Sequence, residues 1–388
     1  MQLRHFLLLA VSVVLFAGCD TESESIWDPD FEDRPAPAIA SVEPAGSAFA
    51  GIDVVTISGS NFSANTDDVL VFFDDIPGEI VSVSETQIQV VPPNTPKPVT
   101  LRISVAGASN FSNVIDYTLE SALTPFGGLI RSETPFSVTS DSDGNAYVSL
   151  QAGNVSGGIR KITPAGEASQ FVENRFVFGD MALTDAGQLY AVRGIRAVFG
   201  FVEGGEQQTF FAAENRGARL RSIAVADDGR VFAAGNAQNI HVISPDGEGT
   251  ANPFVGDLGG LAIFDGFLYA AGSTDAGSGL YRFSIPSEGG TLGPQELVAD
   301  LSSLGEAFTV NDLAIATTGE VFIATDLSDP IQIVSPDGSI EPLYPGIIMQ
   351  PVLSLAWVGN EPFLYTVIER VTGEEDPVLT INVRRTGA

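Results

Sequence analysis

One internal repeat constrains this chain more than any other feature. Beyond residue 120 the sequence cycles through an apolar run, a glycine-containing turn, a second run ending in small residues, a loop, a third run, a Pro/Gly turn and a fourth run. The first turns are Asp143-Gly144, Ala186-Gly187, Asp228-Gly229, Asp265-Gly266, Thr318-Gly319 and Gly359-Asn360, so successive glycines fall 43, 42, 37, 53 and 40 residues apart. A unit of about forty residues with four short strands cannot bury its own faces, but six of them set side by side around an axis can. The spacing therefore predicts a six-bladed β-propeller over 120–388. Later turns repeat as well: Thr163-Pro164-Ala165-Gly166, Ser244-Pro245-Asp246-Gly247 and Ser335-Pro336-Asp337-Gly338. In each, proline presets φ at the second position and glycine takes the place that demands a positive one. The sixth unit stops after three strands, at Val378–Val383. Its fourth strand is expected from Thr124–Arg131, ahead of the first unit, which would close the ring and leave no open edge there.

From Pro37 to Leu119 the punctuation changes. About seven short β runs separated by Gly, Pro, Asn and Asp give the pattern of a β-sandwich. Ile39–Gly46, Gly51, Val55-Thr56-Ile57-Ser58-Gly59-Ser60-Asn61-Phe62, Val71-Phe72-Phe73, Pro92-Pro93 and the stretch from Ser109-Asn110 to Tyr117 resemble the IPT/TIG family of immunoglobulin-like domains. In the Gly59–Phe62 step, Gly and Asn are expected to tolerate the tight turn while Phe62 plugs the sandwich end. That resemblance implies a spacer or interaction module over 37–119 and no chemistry. The chain is thus expected to be all-β, an immunoglobulin-like sandwich followed by a propeller.

Residues 1–18 carry one arginine, an apolar run from Phe6 to Phe16 and Ala17-Gly18 before Cys19. The run is too short to span a bilayer as a mature helix. Small residues immediately before a cysteine resemble the bacterial lipobox, which implies a lipoprotein signal peptide, lipid attachment at Cys19 and an extracytoplasmic protein held in the cell envelope, at the outer membrane or cell surface. The acidic, proline-containing stretch over 19–36 reads as a tether. Cys19 is the single cysteine, so no intrachain disulfide, thiol nucleophile or thiolate metal site is available.

The formal charge is −31, from 49 acidic and 18 basic residues. Such a field repels nucleic acid and anionic lipid, which excludes a phosphate-backbone partner and leaves the anchor as the only membrane contact. Two lysines among so many carboxylates resemble the proteins of high-salt organisms, where screening suppresses self-repulsion.

In a propeller the loops that enter each inner strand and those joining second to third strands share one face, around the channel mouth, the default ligand site. Arg193, Arg196, Arg216 and Arg219 fall there on blades two and three. Asp275, Glu306, Asp312, Asp326, Asp329, Glu369, Glu374, Glu375 and Asp376 fall there on blades four to six. Four of 16 arginines on two neighbouring blades suit a carboxylate, sulfate or acidic sugar, held by bidentate hydrogen bonds. The alternative is solvated arginines paired with carboxylates such as Glu203 and Glu214.

The repeats resemble NHL and gluconolactonase-like propellers over 120–388, with Phe308–Ile315 and Val321–Asp326 matching the segment where an Asn-Asp pair opens a blade. That resemblance implies a divalent cation, Ca2+ or another, and lactone or ester hydrolysis, with Asn311, Asp312 and Asp326 as the candidates here. The match is incomplete, because Gly259-Gly260 and Ala270-Ala271-Gly272 occupy the places where further ligands belong. His241, the one histidine beyond the signal, lies in a predicted third strand without a partner that a general base needs. No residue is assigned a catalytic role. The reading that follows is a binding protein whose propeller mouth takes a protein or an acidic glycan; the alternatives are a metal-dependent lactonase and a structural scaffold of an envelope assembly.

Overall fold

The computed structural model describes residues 34–130, 132–153, 155–305, 307–369 and 378–388. The expected signal peptide, Cys19 and nearly all of the expected tether lie outside the described residues. So do Arg131, Glu306, Glu374, Glu375 and Asp376. Among the described residues every regular element is a β-strand except two short 3-10 turns, and none is a helix long and apolar enough to cross a membrane.

The first part of the described chain is a two-sheet sandwich. One sheet orders the strands Ala38–Glu43, Val55–Ser60, Gln87–Val91 and Glu79–Val83. The other orders Ser47–Phe49, Ile115–Glu120, Lys97–Val105, Val69–Phe73 and Ile76–Pro77. Val55, Ile57, Val71, Phe73, Ile88, Val90, Leu101 and Ile103 alternate with outward residues and are completely buried. This is the period-two burial that holds two sheets face to face. In the Gly59–Phe62 step the two special residues serve different ends. Asn61 takes φ +61° and donates its amide to Ala36 O at 2.9 Å, while Gly59 is needed for space, since a Cβ there would lie 2.0 Å from Ala38 O. Phe62 is buried, at 6% exposure.

The remaining chain forms six four-stranded antiparallel sheets. Their inner strands are Glu133–Ser140, Asp180–Leu183, Arg219–Val225, Asp257–Phe264, Val310–Ile315 and Val352–Trp357. Each inner strand touches the next, and the sixth touches the first, so the ring of blades is complete. All six glycines of the first turns have positive φ, between +51° and +84°, which is why the period of the repeat is written in glycine. Large apolar side chains interleave between neighbouring sheets. Between blades three and four, for example, Phe232, Ile240, Phe254, Leu258, Leu268 and Tyr281 form one cluster. Burial of each such side chain is worth about 1.5–3 kcal/mol, so the ring is held by its inter-blade seams.

The sixth sheet takes its outer strand from Leu123–Pro125, which pairs with Val378–Asn382 in the register Leu123 to Ile381, Thr124 to Thr380 and Pro125 to Leu379. This strand is shorter than the expected Thr124–Arg131. Pro125 has no N–H to extend the ladder, and Gly127-Gly128, the second at φ +94°, turns the chain away. Phe126 then packs its ring 4.4 Å from that of Tyr365. At the other end of the sheet, Gly387 bridges Ala316 and Ala388 N donates to Ile315 O at 3.0 Å, so the tail lies against the turn-side end of the channel.

Candidate functional site

The channel mouth is built by a repeated irregularity. Five of the six inner strands shift register at the same level, between Pro135 and Ser137, Leu220 and Ser222, Leu258 and Gly260, Val310 and Asp312, and Val352 and Ser354. In blade two the equivalent residue, Gly179, just precedes its strand and donates its N–H to Val192 O at 2.9 Å. The extra residue of a bulge leaves the ladder and re-aims its side chain. Here the six residues at that level, Phe136, Gly179, Arg221, Gly259, Asn311 and Leu353, line one cavity of about 330 Å³ together with Arg193, Gly194 and Val310.

One step deeper stand Ser137, Asp180, Ser222, Gly260, Asp312 and Ser354. The two carboxylates occupy opposite blades, two and five, and are bonded alike. Asp180 accepts from Met181 N at 2.7 Å, Ile223 N at 2.8 Å and Ser222 Oγ at 3.0 Å. Asp312 accepts from Leu313 N at 2.7 Å, Leu355 N at 2.8 Å and Ser354 Oγ at 2.9 Å. Each therefore stitches its blade to the next. Burial pushes the Asp312 carboxyl up to about 7, and burial together with the charge of Asp312 pushes Asp180 well above the ordinary carboxylate range. In blade four Gly260 takes this place because a Cβ would sit 2.6 Å from Leu313 Cγ, and one on Gly259 would sit 1.7 Å from Val310 O.

The four arginines anticipated from sequence lie on or next to the mouth-side loops, and they part company there. Arg196 donates to Ala213 O at 2.6 Å, Arg219 donates to Ala218 O at 3.1 Å and Gly217 O at 3.2 Å, and Arg216 is exposed. Only Arg193 among them lines the cavity. Its guanidinium lies 3.8 Å from the ring centre of Phe176 and 5.6 Å from that of Phe199, and its Nε is buried with no hydrogen-bond partner among the described residues. Arg221 is the second cation of the mouth and was missed by sequence reasoning. It sits 3.0 Å from Asp257. No sequence signal marks a bulge, and without one Arg221 reads as an ordinary strand residue two places after Arg219.

The candidate metal residues point to three different places. Asn311 donates its amide to Val352 O at 2.8 Å, bracing blade five against blade six. Asp312 is spent on the three donors of its inter-blade stitch, and Asp326 accepts from Thr309 N at 2.7 Å. Among the described residues no group of three or more His, Cys, Asp or Glu is placed to hold a metal ion. A hard divalent cation needs six or more oxygens, and this arrangement does not fit one. Asp329 likewise accepts from Gly346 N at 2.7 Å. His241 is buried in its strand beside Phe211, with ring centres 5.2 Å apart, and burial lowers its pKa. It is a core residue.

Comparison with known proteins agrees with this architecture. The IPT/TIG domain family matches residues 37–120. No curated protein matches the chain. Among solved structures, an auxiliary nutrient binding protein from Bacteroides thetaiotaomicron is 10% identical over 91% of this chain and 99% of its own, with a TM-score of 0.52. A calcium-binding regucalcin from Agrobacterium tumefaciens is 13% identical over 68% of this chain and 94% of its own, with a TM-score of 0.52. A luciferin-regenerating enzyme is 11% identical over 69% of this chain and 97% of its own, with a TM-score of 0.55. At such identities the likeness is one of fold.

Proposed function

We propose that this chain is a lipid-anchored, extracytoplasmic binding protein whose propeller mouth takes an acidic ligand. The observation that carries the reading is Arg193. A guanidinium held against Phe176, with a buried Nε and no carboxylate partner among the described residues, is a partly desolvated cation lacking its counter-charge. That state is costly unless an anion completes it. The chain carries a formal charge of −31, yet among the described residues no carboxylate is paired with this guanidinium. A ligand carboxylate supplies the missing acceptor in bidentate geometry, and Arg221 on the neighbouring blade offers a second donor group. The cavity of about 330 Å³ suits a small acid or one acidic sugar residue, with Phe136 and Leu353 facing its apolar part.

The full-length likeness to an auxiliary nutrient binding protein is in keeping with capture of a small solute outside the cytoplasm. Anchoring is read from Cys19 and its preceding small residues. Calorimetric titration of uronic acids into purified protein tests the site. Binding that weakens at least tenfold in Arg193→Gln supports the reading, and equal affinity in that variant overturns it. Labelling with radioactive palmitate, lost in Cys19→Ser, tests the anchor.

A further inference from the structure

A groove of about 620 Å³ runs along the seam of blades one and two, between the 173–176 connection and the turn at 202–207, and Phe176 lies in its wall. The same residue carries Arg193 of the mouth 3.8 Å from its ring centre, so groove and mouth meet at Phe176. The groove walls are fixed. Gly204 N donates to Phe171 O at 2.9 Å, Asn174 Nδ2 to Gln207 Oε1 at 2.9 Å, and Phe176 N to Asn174 Oδ1 at 2.9 Å. A rigid, preformed cleft binds without the ordering cost that a mobile loop adds.

What the walls present is a mixed set of hydrogen-bonding groups. Gln207 Nε2 makes no hydrogen bond among the described residues, and Glu173, Arg175 and Glu206 make no ion pair among them. Carboxylate acceptors, an amide donor and a guanidinium are among the groups that line the groove, and an added Cβ on the exposed Gly204 would meet nothing within 4 Å. Hydroxyl groups both donate and accept, so a polyol satisfies such a set without carrying charge of its own. A peptide suits it less, because the N–H groups of Gly204 and Gly205 are already bonded and leave no ladder to join.

We propose that this groove is a second binding site, for neutral sugar residues of an oligosaccharide whose acidic residue occupies the mouth. The proposal rests on the anion reading of Arg193 and extends it from a single acid to a chain. The test uses the purified full chain and calorimetry with four probes: uronic acid monosaccharides, trisaccharides ending in the same uronates, neutral trisaccharides, and an acidic peptide. Acidic trisaccharides are expected to bind about tenfold or more tighter than the monosaccharides, a gain of about 1.4 kcal/mol. Glu206→Gln, at an exposed position, and Gln207→Ala, at a half-buried one, are expected to remove that gain while leaving monosaccharide affinity unchanged. Arg193→Gln is expected to weaken both.

Trisaccharides binding no tighter than monosaccharides overturn the groove and leave the mouth standing. Neutral trisaccharides that bind and lose affinity in Gln207→Ala support the groove, and acidic trisaccharides that bind equally well in Arg193→Gln overturn the mouth. Binding of an acidic peptide alone overturns the sugar assignment.

Discussion

The guanidinium of Arg193 lies 3.8 Å from the ring centre of Phe176, and the two residues belong to different faces of one corner, the first to the mouth and the second to the groove wall. A cation over an aromatic face gains about 0.5–2 kcal/mol, depending on how dry the contact is. Phe176→Leu therefore lets the guanidinium wander and weakens anion binding by about twofold to thirtyfold, the same energy expressed as a ratio. Because Phe176 is 41% exposed, the melting temperature is expected to move by only a degree or two. Calorimetry and a thermal melt on one preparation check both halves.

Asp180 and Asp312 predict an unusual slope of stability with pH. A carboxyl whose folded value stands above its unfolded value of 3.8 contributes stability while protonated; that contribution is complete below 3.8 and is lost as pH climbs through about 7 for Asp312. Asp180 shifts in the same direction. The wild-type melting temperature is therefore expected to fall between pH 5 and pH 8. In Asp180→Asn/Asp312→Asn, where nothing titrates at these places, the fall should shrink. Melts followed by circular dichroism over that range decide it, and an identical slope in both proteins would remove buried carboxyl titration as the cause.

Gly259 has no room for any side chain, with Val310 O 1.7 Å from where a Cβ would stand. Gly259→Ala must push blades four and five apart. A loss of about 3 kcal/mol or more is expected in urea unfolding, with Gly266→Ala as a contrast, where nothing lies within 4 Å but φ is +75° and the strain costs about 1 kcal/mol.

Phe126 anchors the strand that completes blade six, against Tyr365 at 4.4 Å. Phe126→Ala is expected to cost about 3 kcal/mol or more, as for other large-to-small core changes. Hydrogen exchange should locate the loss in Val378–Asn382 and its partner Phe363–Ile368 rather than in blade three.

The architecture was legible because glycine and proline report backbone angles directly. A residue forced to positive φ leaves its mark in the sequence, and six such marks at near-equal spacing define a ring. The mouth was only half legible. Arg193 was found from its place in a loop, but Arg221 reaches the cavity through a register shift that no residue type announces. Asp312 was singled out for the wrong neighbours as well. In sequence it stands beside Asn311 as a ligand would, whereas in space its carboxylate turns into the seam and bonds Ser354 and Leu355, forty residues on. Asp180 plays the same part opposite and drew no notice, because a lone acid in a strand carries no pattern.

The borrowed outer strand of blade six sets the order of events as the chain is made. Leu123–Pro125 leaves the ribosome some 250 residues before the segment it must pair with, so it waits unpaired through synthesis of nearly the whole ring. Five sheets can zip up locally from consecutive strands, but the ring locks only when the last has emerged. Under the proposed extracytoplasmic reading, such a delayed latch keeps the chain loose enough to travel until its last strand has been made.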